Sequence, residues 1–128
     1  VELDELLRRA DIVSLHCPLT DDNSKMINER TLSLMKPTAL LVNTARGGLI
    51  DEEALAQALK DGVIAAACVD ALTLEPMRED CALRGLDNCF ITPHVAWAPI
   101  ETRERLIERV AENLKAWRDG KPINEVNL

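Results

Sequence analysis

Four residue types that could do chemistry together stand in this chain of 128 residues, each just after a short apolar run. His16 follows the run 12–15, Arg46 follows 38–42, Asp70 and Glu75 follow 64–69, and His94 follows 89–92. A cation, a carboxylate and a histidine suit one job well. The planar fork of Arg46 matches a substrate carboxylate bidentately. His94 can pass a proton to or from an adjacent oxygen, and Glu75 can orient its imidazole and favour the protonated form. Each residue also has an ordinary reading: an arginine that caps a loop, a histidine supporting the turn after Pro93, a glutamate in solvent before Pro76, Asp70 as a cap or turn residue, and His16 bonded to backbone. Their shared placement weighs more than any one of them. In open parallel sheets, ligands sit where the strands end and the loops begin.

The elements needed to hold these residues are legible. The apolar runs begin at residues 12, 38, 64 and 89, at intervals of 26, 26 and 25. Strands alternating with helices at that spacing predict βα units and a parallel sheet covered on both faces. A helix over 2–9 precedes the first strand, with Leu3, Leu6, Leu7 and Ala10 on one side. Asn28 or Thr31 caps a short helix ending near Met35, which Lys36 and Pro37 stop. Asp51 caps a helix over 51–60 whose first turn carries Glu52 and Glu53, suited to the positive end of the dipole. Ile50 and Leu55 stand at the positions of a hydrophobic staple, and Gly62 at C′. Pro99 opens the longest helix, to about residue 119, where Ile100, Leu106, Ile107, Val110, Leu114 and Trp117 recur at steps of three and four and Gly120 and Pro122 follow. The fold class is α/β: a partial Rossmann-type parallel sheet with flanking helices and a long C-terminal helix.

Bulk composition narrows the partners. With 22 acidic against 15 basic residues the net charge is −7, which argues against nucleic acid. No apolar run is long enough to span a bilayer and no signal peptide opens the chain, so a cytoplasmic protein is expected, without a membrane partner. Cys17, Cys68, Cys81 and Cys89 form no C-x-x-C pair, so reduced thiols and no metal are expected. Cys68, inside an apolar run, reads as a small buried hydrophobe. The chain opens at Val1 in a helix-like segment and reads as a piece of something longer.

Three motifs in order complete the reading: Asn43-Thr44-Ala45-Arg46-Gly47-Gly48-Leu49-Ile50-Asp51-Glu52, then Val69-Asp70 with Leu74-Glu75-Pro76, then Thr92-Pro93-His94-Val95-Ala96-Trp97. The chain resembles throughout the D-isomer-specific 2-hydroxyacid dehydrogenases, over the latter half of their NAD-binding domain and the helix after it. The resemblance implies Arg46, Glu75 and His94 as the catalytic set. It implies Cys17 and Pro18 at the adenine pocket, Thr44, Ala45 and Arg46 beside the nicotinamide, Asp70 on the carboxamide, and the backbone from His94 to Trp97 bordering the ring. Residues 1–98 would then be the C-terminal portion of the NAD-binding domain, and 99–128 a helix and tail returning toward a substrate domain. NAD or NADP is the implied cofactor, a small 2-hydroxy or 2-keto acid the substrate, and a homodimer the assembly. Ala96-Trp97 resembles the glycerate dehydrogenase and hydroxypyruvate reductase branch, and also the C-terminal-binding corepressors. A nucleotide-sensing binding protein and a non-catalytic remnant therefore stand as alternatives. Leu72 replaces a common aromatic and Cys68 a smaller residue. The five glycines make no G-x-G-x-x-G, so nothing here reads as a pyrophosphate cradle, and NAD and NADP are not distinguished.

Overall fold

Four short strands pair in parallel in the order β1-β2-β3-β4: Ile12–Leu15, Leu40–Asn43, Ala66–Val69 and Cys89–Ile91. The computed structural model describes residues 1–126. Each apolar run contains a strand, but three are shorter than expected: β2 begins at Leu40, with Thr38 left in the preceding turn, β3 begins at Ala66, with Ile64 and Ala65 in bends, and β4 ends before Thr92. Helix α1, Leu3–Arg9, precedes β1. Helix α2, Glu29–Leu32, lies between β1 and β2, and α3, Glu52–Lys60, between β2 and β3.

Helix ends follow local chemistry. Asn28 caps α2 by accepting from the Thr31 amide, while the Thr31 hydroxyl oxygen accepts from the Asn28 amide, so both candidate caps take part in one box. Asp51 caps α3 through the Ala54 amide at 3.4 Å and pairs with Lys25 at 3.0 Å. Ile50 and Leu55, the staple pair, are both buried, and Gly62 takes φ 68° one residue past the C-cap.

Register decides which side chains meet. Val13, Leu41 and Ala67 align across the sheet, as do Leu15, Asn43 and Val69, and all six are buried. They share a core with Leu7, Leu32, Leu49, Leu55, Leu59 and Ile64. The other face differs from expectation. Ile12 is 62% and Phe90 61% exposed, and Cys68 is exposed as well, so the sheet is covered on one face only and Cys68 is no core residue. The strand order supplies the reason. Strands added one after another in the same direction, each by a right-handed crossover, put every crossover helix on the same face. Covering the second face requires strand order to reverse.

The chain divides into two compact units, Val1–His94 and a second from Val95 onward. The second holds α4, Ile100–Arg118, with Pro99 at its N-cap and Gly120 at φ 70° after its end. No residue of α4 is buried; Ile107, Leu114 and Trp117 of its apolar stripe are exposed.

Candidate active site

The carboxyl ends of β3 and β4 frame a crevice of about 270 Å³ lined by Asp70, Leu72, Glu75, Met77, Ile91, Thr92 and His94 among others. β3 ends at Val69, and Asp70 follows it. Asp70 is only 5% exposed, its amide donates to the Asn43 carbonyl at 2.8 Å, and its carboxylate accepts from the Thr92 hydroxyl at 2.5 Å. Thr92 in turn donates its amide to Val69. Strand ends and site are thus tied together by the same hydrogen bonds.

His94 takes φ 55°, a conformation uncommon outside glycine, where the chain turns after Pro93. Its Nδ1 lies 2.8 Å from Oε2 of Glu75. An ionised carboxylate can only accept, so Nδ1 carries a proton, and Nε2 is the ring nitrogen able to exchange one with a substrate. Glu75 uses its other oxygen to accept from the Leu72 amide at 2.9 Å. The hydrogen bond from His94, and then that from Leu72, hold the Glu75 carboxyl below the ordinary carboxylate range. The carboxylate is therefore ionised at neutral pH, as an orienting partner of a histidine must be.

Arg46 stands apart. It ends the turn after β2, exposed, with Nη1 donating to the Ala45 carbonyl at 2.7 Å, and it is not part of the crevice wall. Backbone connects it to the crevice. Gly47 packs so closely on the peptide joining Leu72 to Thr73 that any Cβ there would collide with it. The turn is built by Asn43, fully buried, whose side chain donates to the Arg46 carbonyl at 2.9 Å and accepts from the Ala45 amide at 3.0 Å. Asn43 opened the first motif without a role; its ability to bond backbone two or three residues on was the available signal.

The remaining expected contacts fall as follows. Thr44 is exposed and Ala45 half-buried beside Arg46. Cys17 packs against the core after β1, and the Pro18 carbonyl accepts from Asn23 at 2.8 Å. His16 meets Ser14 at 2.8 Å on the strand itself. Trp97 belongs to the second unit, beside Ile100, Arg103 and Ile107 on a groove there. Among the described residues no group of three His, Cys, Asp or Glu could hold a metal ion.

Buried Asp70 beside the apolar surfaces of Leu72, Ile91 and Pro93 sets a hydrogen-bond acceptor next to an apolar wall. The model for the NAD-binding domain of the D-isomer specific 2-hydroxyacid dehydrogenases matches residues 1–96. The chain belongs to that family. It is 43% identical over 127 residues to a hydroxypyruvate reductase of Blautia hydrogenotrophica, covering 99% of this chain and 39% of that protein. It is 45% identical over 128 residues to a glycerate dehydrogenase of Methylorubrum extorquens, covering 98% and 41%. Among solved structures, an acyclic imino acid reductase in complex with NADPH and D-Arg superimposes with a TM-score of 0.89 at 41% identity, over 98% of this chain and 40% of that one. The chain therefore spans about two fifths of the length of the relatives it matches. The family's cofactor class is nicotinamide dinucleotide, and a buried acceptor at Asp70 beside an apolar wall fits an amide-bearing ring; the five glycines make no G-x-G-x-x-G.

Proposed function

We propose that this chain supplies the catalytic edge of an NAD(P)-dependent D-2-hydroxyacid dehydrogenase acting on glycerate- or hydroxypyruvate-like acids. The observation that carries this reading is the bond between His94 Nδ1 and Glu75 Oε2 at 2.8 Å, on the crevice that also holds buried Asp70. A reduced nicotinamide, when bound, supplies a hydride to C2 of a keto acid. His94 gives its Nε2 proton to the C2 oxygen as the carbonyl bond opens, so the product leaves as a neutral hydroxyl. In the reverse direction the neutral imidazole takes that proton back. Glu75 holds the ring in the tautomer and orientation this requires and stabilises the imidazolium. Arg46 anchors the substrate carboxylate and the carbonyl oxygen, which fixes the face of C2 that is attacked. Asp70 accepts from the carboxamide; Thr44 and Ala45 flank the nicotinamide, Cys17 and Pro18 the adenine, and the backbone from His94 to Trp97 the remaining edge of the ring.

Residues 1–98 act in this reading as the C-terminal portion of the NAD-binding domain and 99–128 as the return toward a substrate domain. A homodimer is the proposed assembly, supported by the exposed apolar stripe of α4. The cytoplasm is the proposed compartment, supported by four free thiols. The test is turnover of hydroxypyruvate with NADH and NADPH by a full-length protein carrying this chain. Activity that falls by about two to four decades in His94→Asn supports the reading. Nucleotide binding without turnover of any 2-keto acid would overturn it in favour of a corepressor-type binding protein.

A further inference from the structure

Glu75 is the weakest-anchored member of the site by its position in the chain, since it lies on an irregular loop between β3 and β4. The loop is nevertheless held from outside. The Thr73 amide donates to Oε1 of Glu52 at 2.6 Å, across 21 residues of sequence. Glu52 is the first residue of α3, so its backbone is fixed by the capped helix end. The same Leu72–Thr73 peptide rests on Gly47 with no room for a side chain between. The Leu72 amide then donates to Glu75 Oε1, and Glu75 Oε2 meets His94. A continuous path of contacts therefore runs from α3 and the Arg46–Gly47 turn, through two consecutive loop amides, to the imidazole.

We infer that Glu52 is a positioning residue: with Gly47 it clamps the Leu72–Thr73 peptide and so sets Glu75 against His94. The inference rests on the proposed roles of Glu75 and His94 and adds a third carboxylate that touches neither substrate nor cofactor. Glu52 couples the two halves of the site, because the helix it opens follows directly on the turn bearing Arg46. Its requirement is for an acceptor oxygen and not for charge, which separates this role from the ordinary favour that a helix N-terminus shows to an acid. Glu53, its neighbour in the same first turn, has that favour without the bond to Thr73.

The test uses a full-length protein carrying this chain, with two NMR readouts: hydrogen exchange of the Thr73 amide, and titration of the Glu75 carboxyl carbon. The compared variants are Glu52→Ala, Glu52→Gln and Glu53→Ala. In the unsubstituted chain Glu75 should titrate below the ordinary carboxylate range, in keeping with its bonds to His94 and Leu72. Glu52→Ala should speed exchange at Thr73 several-fold and move the Glu75 midpoint up toward the ordinary value. Glu52→Gln keeps the acceptor and should restore both, and Glu53→Ala should change neither. Alanine favours helix, so Glu52→Ala is expected to fold. Low Glu75 titration and slow Thr73 exchange retained in Glu52→Ala would overturn the clamp and leave the Glu75–His94 pair standing. Ordinary titration of Glu75 in the unsubstituted chain would overturn the pair, and the positioning role with it.

Discussion

Arg46 contributes by shape as much as by charge. Replacing it with lysine keeps the cation and removes the fork, and losing a charge-assisted hydrogen bond costs roughly 1.5–3 kcal/mol. In a full-length protein carrying this chain, Arg46→Lys should therefore lower kcat/KM for keto acid reduction by about one to two decades. Near-unchanged kinetics would make Arg46 a structural residue, as its bond to its own neighbour Ala45 would then suggest. At this scale the sequence was informative where a residue type and its chain position together imply chemistry. Arg46, Glu75 and His94 were all found by standing after strands, and Glu75 and His94 are in contact. Asn43 and Glu52 had no such mark. Asn43 acts on backbone two and three residues away, and Glu52 on an amide 21 residues away. A bond of the second kind exists only after β3 has been laid beside β2.

Elements were read from local periodicity and caps, and their ends make sharp predictions. Asp51 both accepts from the Ala54 amide and pairs with Lys25, and the Lys25 bond above all holds its carboxyl below the ordinary value. A depressed folded-state pKa stabilises above the ordinary carboxylate value, near 4, and that contribution is lost as pH falls through the depressed value. Asp51→Ala should thus cost about 1 kcal/mol at pH 7, read as a lower urea midpoint. The difference from the unsubstituted chain should shrink as pH drops below about 4. A gap that stays constant with pH would contradict a depressed Asp51 carboxyl, since both its bonds favour the ionised form. Gly47→Ala tests the other junction. Its Cβ must push the Leu72–Thr73 peptide aside, so amide shifts should spread from the turn to residues 72–75 while β1 stays unchanged. Apolar residues on both faces of β1 to β4 signal two-sided burial, whereas which face receives helices depends on strand order. Cys68 is an apolar-run residue on the face the crossovers leave open.

At the scale of the molecule, the open sheet face, the edge strand β1 and the stripe on α4 all offer apolar or unpaired surface. The isolated chain should self-associate, and a monomer by light scattering at high concentration would contradict this. It should also fail to oxidise NADH with hydroxypyruvate above a buffer blank, since the glycines for a pyrophosphate cradle are not among its residues and holding the nicotinamide is much of the catalytic work. The claim that joins residue, element and molecule is that Glu75 governs the proton carried by His94. The measurement is kcat/KM against pH for keto acid reduction in the full-length protein, with and without Glu75→Gln. The amide keeps the shape and removes the charge that favours a protonated imidazole. Activity in the variant should fall most on the alkaline side of the profile and least on the acid side, where protons are supplied without help from a carboxylate. Two profiles of the same form, differing only in height, would contradict an acid–base pair at Glu75 and His94.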